Sequence, residues 1–149
     1  MPKINLANEG HLNELARLFN LYRVFYKQPF DKDMAIDFIK LRMKQKQSIV
    51  FVAEESDGIL SGFVQLYPSF CSVSAIPVLI LYDLFVDEEE RGKGIGRNLM
   101  NKSTEYAKLN GFKRLELSTA KDNVIGQSLY ESLDYELDEE FLHYSLEVK

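Results

Sequence analysis

The sequence predicts an α/β sandwich with a mixed sheet, on three observations. Short runs of β-branched and aromatic residues alternate along the chain with longer stretches whose apolar residues recur at helical spacing. One dense apolar run at residues 79–86 (Leu79, Ile80, Leu81, Tyr82, then Leu84, Phe85, Val86) reads as a strand buried on both faces. That run passes through an acidic cluster at residues 87–90 into a glycine-rich turn and a helical pattern, the strand–turn–helix connection of an α/β layer.

Taken in order, residues 3–6 form a short strand. Leu12, Leu15, Phe19 and Tyr22, with Ala16 between them, give a helix over residues 11–26 that either Asn8 or Asn13 could cap. Pro29 breaks the pattern, and Asp31 is placed to cap a second helix in which Met34, Ala35, Phe38, Ile39 and Arg42 share a side. Lys40, Lys44 and Lys46 form its solvated face. Residues 48–55 are a strand, Ser56-Asp57-Gly58 a hairpin turn, and residues 59–70 the returning strand, with Gly62 inside it and Pro68 near its end. Small and polar residues between Ser69 and Pro77 predict a loop or a frayed edge. After the central strand, Ile95, Leu99, Tyr106 and Ala107 mark a long helix. Residues 114–118 alternate as a strand, and Ile125, Leu129 and Leu133 align on a helix over 123–133. Residues 135–137 and 141–148 are expected to close the chain as a hairpin. The resulting order is β-α-α-β-β-β-α-β-α-β-β, read as one domain over residues 1–149.

Composition narrows the function classes. Hydrophobic residues make up 46% and charged residues 28%, an ordinary balance for a globular chain. No apolar run approaches the ~18–20 residues of a membrane span, and the first residues lack a signal-peptide core. Cys71 is the single cysteine, which excludes an internal disulfide and fits a reducing, cytoplasmic setting. With only His11 and His143 beside it, a zinc site is not expected. A net charge of −5 argues against nucleic acid and mildly favours a cationic partner such as an amine.

The stretch Arg91-Gly92-Lys93-Gly94-Ile95-Gly96-Arg97 is where chemistry is expected. Glycines let the backbone approach a ligand closely, and the first N–H groups of the following helix point outward with the positive end of the helix dipole behind them. Phosphate suits such a site. A P-loop is excluded because no glycine stands at the required spacing before Gly-Lys-Ser/Thr. A dinucleotide fingerprint fails too, although Glu116 lies where a ribose-binding acid would stand: the positions completing Gly92-x-Gly94 and Gly94-x-Gly96 are Arg97 and Leu99.

What remains, Arg91-x-x-Gly94-x-Gly96, resembles the R/Q-x-x-G-x-G/A motif of the GNAT superfamily, the GCN5-related N-acetyltransferases. The flanking D-L-F-V-D-x-x-x-R-G-K-G-I-G-x-x-L and the later D-N-x-x-x-x-x-L-Y-x-S-L-x-Y extend the resemblance over nearly the whole chain. It implies a mostly antiparallel twisted sheet that splays between the strands at 79–86 and 114–118, with the pantetheine arm of acetyl-coenzyme A in the wedge. It also implies that the backbone of Arg91, Gly92, Lys93, Gly94, Ile95, Gly96 and Arg97 holds the pyrophosphate, with charge from Lys93 and Arg97. A bulge near Leu84, Phe85 and Val86 would free backbone groups for pantetheine and turn one N–H, that of Val86, toward the acetyl oxygen. Tyr130 matches the tyrosine that protonates the departing thiolate, and Asn123 a position touching the pantetheine arm, although either also suits a purely structural role. Asp83, the only charge within its strand, is a candidate base or amine-binding group, or else a structural acceptor; Glu54, Glu55 and Glu116 have no better claim. Tyr22, Tyr26 and Phe30 sit where such proteins build the acceptor pocket, and aromatic rings suit an alkylammonium group. The segment Y-R-x-F-Y is similar to the branch that acetylates histones and polyamines in yeast. Asp134-Tyr135 departs from the usual Gly-aromatic pair. Direct transfer to an amine in a ternary complex is the expected activity, with a non-catalytic acetyl-coenzyme A sensor as its rival; Phe141, Tyr144 and Leu146 would suit a homodimer contact or a core.

Overall fold

The computed structural model describes residues 1–149, which divide into two compact units, Met1–Ser118 and Thr119–Lys149. The first holds a five-stranded sheet in the order β1-β2-β3-β4-β5: β1 (Lys3–Leu6), β2 (Ile49–Glu54), β3 (Leu60–Cys71), β4 (Ile76–Val86) and β5 (Arg114–Glu116). The first four strands pair antiparallel and β5 joins β4 in parallel. That parallel pairing covers only Val78↔Arg114, Leu79↔Leu115 and Ile80↔Glu116, so β4 runs on from Leu81 to Val86 without a strand on that side. The sheet splays there, as expected.

Helices α1 (Leu12–Phe25) and α2 (Lys32–Lys44) cover one face. Their Leu15, Leu18, Phe19, Ala35 and Ile39 pack with Val50, Val52, Leu60, Phe63 and Phe85 in the main core. Alternation along β2 sends Phe51 to the other face, where it meets Tyr106 of α3 (Ile95–Leu109). Gly62 of β3 admits α3 to this face: a Cβ there would lie 3.0 Å from the Phe85 carbonyl oxygen and 3.2 Å from Leu99 Cδ1. The second unit contains α4 (Val124–Ser132). No helix is long and apolar enough to cross a membrane.

Several boundaries differ from the sequence reading for local reasons. Asn8 is the cap, but of a 3-10 turn (Glu9–His11) ahead of α1; its side chain accepts from Gly10 N, while the His11 ring accepts from Asn8 N. The predicted loop at 69–77 is mostly ladder, because Phe70↔Pro77 and Cys71↔Ile76 continue the hairpin to a turn at residues 72–75. Strand 79–86 is not buried throughout: Tyr82 is 64% exposed. The hairpin predicted at 135–137 and 141–148 does not form. Residues 136–149 contain neither helix nor strand, since no ladder reaches them, and Leu137, Phe141, Leu142, Tyr144, Leu146 and Val148 are all exposed.

All four helices end in the same hydrogen-bonded turn, with the residue after the cap in the left-handed region and the next N–H bonded back into the last helical turn. These bonds are Gln28 N→Arg23 O, Gln47 N→Arg42 O, Phe112 N→Ala107 O and Tyr135 N→Tyr130 O. Only α3 places a glycine there, Gly111; the others use Lys27 (φ 66°), Lys46 (φ 52°) and Asp134 (φ 67°). The Gly-aromatic position noted in the sequence is therefore one that demands positive φ, and Asp134 adopts it. Lys46→Gly, away from the candidate site, should relieve ~1 kcal/mol of left-handed strain and raise the melting temperature by about 3 °C, readable by calorimetry.

Candidate active site

The end of β4 is fixed before the glycine turn begins. Asp87 N donates to Ser61 O (2.8 Å), and Arg17 Nη1 on α1 donates to Asp87 Oδ2 (3.0 Å). Arg17 also donates to Leu60 O and binds Glu14, whose carboxylate accepts from Leu60 N. Hydrogen bonding from Arg17 holds the Glu14 carboxyl below the usual range despite partial burial. This clamp was not legible in the sequence, because α1, β3 and the end of β4 come together only in the folded sheet.

From Asp87 the chain makes a 3-10 turn (Glu88–Glu90) and reaches Arg91, which doubles back. Arg91 Nε donates to Val86 O (2.9 Å), and its guanidinium lies over the rings of Phe85 (5.2 Å) and Phe25 (5.8 Å). The motif arginine thus closes the turn onto β4 and the end of α1. Gly92 and Gly94 follow at φ 80° and 85°, and a Cβ on either would meet nothing within 4 Å. Gly94 is the N-cap of α3 and supplies no side chain to its first N–H groups. An open, left-handed turn feeding uncapped amides is what a phosphate requires, so the residues fit the pyrophosphate that the resemblance implies. Lys93 departs from its expected role: its Nζ is bound to Glu90 Oε2 at 2.7 Å, an exposed pair that offsets its charge.

The implied bulge is present but displaced. Gln65 pairs with Asp83 and Leu66 with Leu81, leaving Tyr82 as the extra residue, whereas Leu84, Phe85 and Val86 face Val64, Phe63 and Gly62 in regular register. Free backbone groups at 84–86 arise instead from the splay, because groups directed away from β3 have no β5 beside them.

The displaced bulge sits beside a buried polar cluster. Asp83 is 3% exposed and accepts a short hydrogen bond from Gln65 Nε2, while Ser48 Oγ donates to Gln65 Oε1 (2.8 Å). Burial pushes the Asp83 carboxyl above the usual range, and hydrogen bonds from Gln65 and Tyr22 pull it partly back. The Tyr22 hydroxyl also reaches the Tyr82 carbonyl (3.1 Å), and burial, then the Asp83 charge, push its pKa far up. Tyr67 is pushed up to about 12 by burial, with Asp83 adding to the effect. Tyr22 packs edge-on against Tyr26 and Phe85, with centroids 5.1 and 6.3 Å away, so Tyr22 touches both Tyr26 and the Asp83 carboxyl. Phe30 is 68% exposed on the α1–α2 connection, which Asn20, buried, ties down through Asp31 N. Glu54 is engaged by His11 and Asn5, and Glu116 by Arg114. Gln65 was overlooked; a lone glutamine inside an otherwise apolar strand segment was the available signal.

In the second unit, Asn123 caps α4, accepting from Gly126 N (3.2 Å) and donating to Thr119 Oγ1 (3.0 Å). Both ends of its amide are thus in structural use. Tyr130 lies on α4 with its ring 6.2 Å from that of Tyr135, and burial pushes the Tyr135 hydroxyl up to about 12.

A splayed mixed sheet with an anion-ready turn at the end of its central strand defines a GNAT-type acyltransferase. Residues 15–135 match the family model described as Acetyltransferase (GNAT) family. An uncharacterized N-acetyltransferase of Bacillus subtilis, YhfO, is 46% identical over 145 residues, 97% of either chain. A probable acetyltransferase of Haemophilus influenzae is 26% identical, covering 91% of either chain. The crystal structure of a probable acetyltransferase superposes with a TM-score of 0.91 at 35% identity, over 99% of this chain and 98% of that one. This chain belongs to the GNAT acetyltransferase family.

Proposed function

We propose that the protein transfers an acetyl group from acetyl-coenzyme A directly to a primary amine, of a small amine, a polyamine or a lysine side chain, within a ternary complex. The observation that carries this reading is the open Gly92–Gly94 turn at the end of the strand that also holds the buried Asp83 and its tyrosines. Both units are taken as one acetyltransferase domain, consistent with a family match that runs through both. A cytoplasmic homodimer completes the proposal.

Each role follows from what a residue presents. Amides of the 91–97 turn and the first turn of α3 hold the pyrophosphate, with Arg97 adding charge. The open backbone of Leu84, Phe85 and Val86 binds the pantetheine arm as an added strand would, and the Val86 N–H faces the acetyl oxygen. Bound acetyl-coenzyme A supplies an activated thioester carbonyl. The rings of Tyr22, Tyr26 and Phe30 receive the alkylammonium group, and Asp83, its pKa raised, takes the amine's proton directly or through water. Tyr130 donates its hydroxyl proton to the leaving thiolate, and Asn123 contacts the pantetheine arm.

Direct transfer needs no acetylated enzyme. Cys71 lies at the far end of the β3–β4 ladder, paired with Ile76, while Gly62 and Val86 mark the end near the turn. Hydrogen bonds from Ser74, then from Arg114, lower its thiol pKa, so it is the one side chain that could mimic a nucleophile. Cys71→Ala should retain at least about 80% of wild-type kcat/KM; loss of turnover in a folded variant would overturn direct transfer.

Calorimetric titration with acetyl-coenzyme A, repeated with spermidine and with a lysine-rich peptide while free thiol is followed, tests the proposal. Binding with thiol release supports it, and binding without release from a broad amine panel favours a sensor. Absence of binding would remove the reading altogether.

A further inference from the structure

Gln65 is fully buried in a stretch of β3 that is otherwise apolar, between Phe63, Val64 and Leu66. A buried amide is tolerated only where its hydrogen bonds are made, and here both ends are engaged. Ser48 Oγ donates to Gln65 Oε1 at 2.8 Å, and Gln65 Nε2 donates to Asp83 Oδ2. The bulge in β4 creates this contact. Ile80 faces Tyr67 and Leu81 faces Leu66, so unbroken pairing would set Tyr82 against Gln65 and send Asp83 to the α3 face beside Val64. The extra residue brings Asp83 opposite Gln65 instead, on the face covered by α1 and α2.

We propose that Gln65, held from behind by Ser48, is a positioning residue for Asp83, fixing the rotation of its carboxyl and favouring the ionised form that accepts a proton; this role rests on the function proposed above. An amide nitrogen donates and never accepts, and it bonds more strongly to a carboxylate than to a carboxylic acid. Taking Oδ2 from the β3 side stops the carboxyl from turning about its Cβ–Cγ bond. Ser48, by donating to Oε1, keeps the amide from presenting its oxygen to Asp83. The remaining titratable groups around Asp83 are phenols, Tyr22 from α1, Tyr67 from β3 and the adjacent Tyr82 of β4, while Arg42 of α2 acts on Tyr67. Burial and the Asp83 charge push Tyr22 and Tyr67 to higher values, so neither ionises where a carboxyl does. Among these groups the acid limb of activity therefore reports Asp83.

Gln65→Met keeps an unbranched side chain of similar length and removes the donor. The acid limb of kcat/KM should move to higher pH by about one pH unit, with the acceptor KM held within about twofold, because the carboxyl is harder to ionise and the pocket rings are untouched. A merely structural glutamine would lower the melting temperature and leave the limb in place. Carboxyl-carbon NMR of Asp83, assigned by the signal lost in Asp83→Asn, reads the same change without turnover. A carboxyl that titrates at the same pH in both proteins would overturn the proposal. A carboxyl that moves while the limb stays would uphold the hold of Gln65 on Asp83 and remove Asp83 as the base. An inactive wild type would defeat the catalytic reading and leave the titration to decide. If Gln65→Met does not fold, Ser48→Ala, at a half-buried position, carries the test. A smaller rise in the same titration supports the proposal there, and an unmoved carboxyl overturns it.

Discussion

Gly94→Asp should weaken acetyl-coenzyme A binding about 100-fold, equivalent to ~2.7 kcal/mol, without unfolding the protein. Gly94 occupies φ 85° with open space around it. Aspartate tolerates the left-handed region better than most residues, as Asp134 does at φ 67° in this chain. The new carboxylate would stand beside the first amides of α3, where it favours the helix and repels a phosphate. A like-charge contact of about 4 Å in a partly solvated site supplies several kcal/mol. Gly58→Asp is the control, because Gly58 has the same φ of 85° and the same open surroundings but lies in the β2–β3 turn. Calorimetry with both variants reads the difference. Equal affinities would show that the 91–97 turn does not hold the cofactor's phosphates.

Asp83→Asn should lower kcat/KM by about 10²–10³ and remove the acid limb of its pH profile. In the wild type the base must be ionised, so activity falls as pH drops through a pKa that burial has raised above the usual carboxylate range. The effect on stability has the opposite sign. A carboxyl whose folded pKa is raised contributes most below its unfolded pKa, and that contribution is lost as pH rises through the folded value. Removing the buried charge should therefore leave the variant as stable as wild type or more so at neutral pH, with the advantage vanishing in acid. A large kinetic loss in an undiminished fold identifies a functional carboxylate. Unchanged kinetics would make Asp83 a structural acceptor for Gln65 and Tyr22.

Much of this was legible in the sequence because it depends on local backbone chemistry. The Arg91–Gly96 spacing, the Asp31 cap and the apolar periodicities each act within a few residues, so β1 through α4 were placed nearly to their ends. The family followed from the same stretch, since only a few residue types permit a left-handed turn that delivers free amides. Register was different. That Tyr82 is the bulged residue, and that Leu84–Val86 runs straight, depends on which β3 residue each β4 residue faces, which short-range patterns do not encode.

Clusters assembled from distant segments were equally illegible. Gln65 meets Asp83 and Ser48 through strand pairing, and Arg17 reaches Asp87 only once α1 lies on the sheet. The expected closing hairpin shows the limit most plainly. Alternation at Leu142, Tyr144, Leu146 and Val148 is the pattern of a strand, but a strand exists only where another backbone offers its hydrogen bonds, and residues 136–149 are neither helix nor strand. By itself the sequence determined the family and singled out the Arg91–Arg97 turn, Tyr130 and Asp83 as candidates. Tertiary structure alone decided which carboxylate is buried among tyrosines and where the bulge falls, because each depends on contacts between segments far apart in the chain.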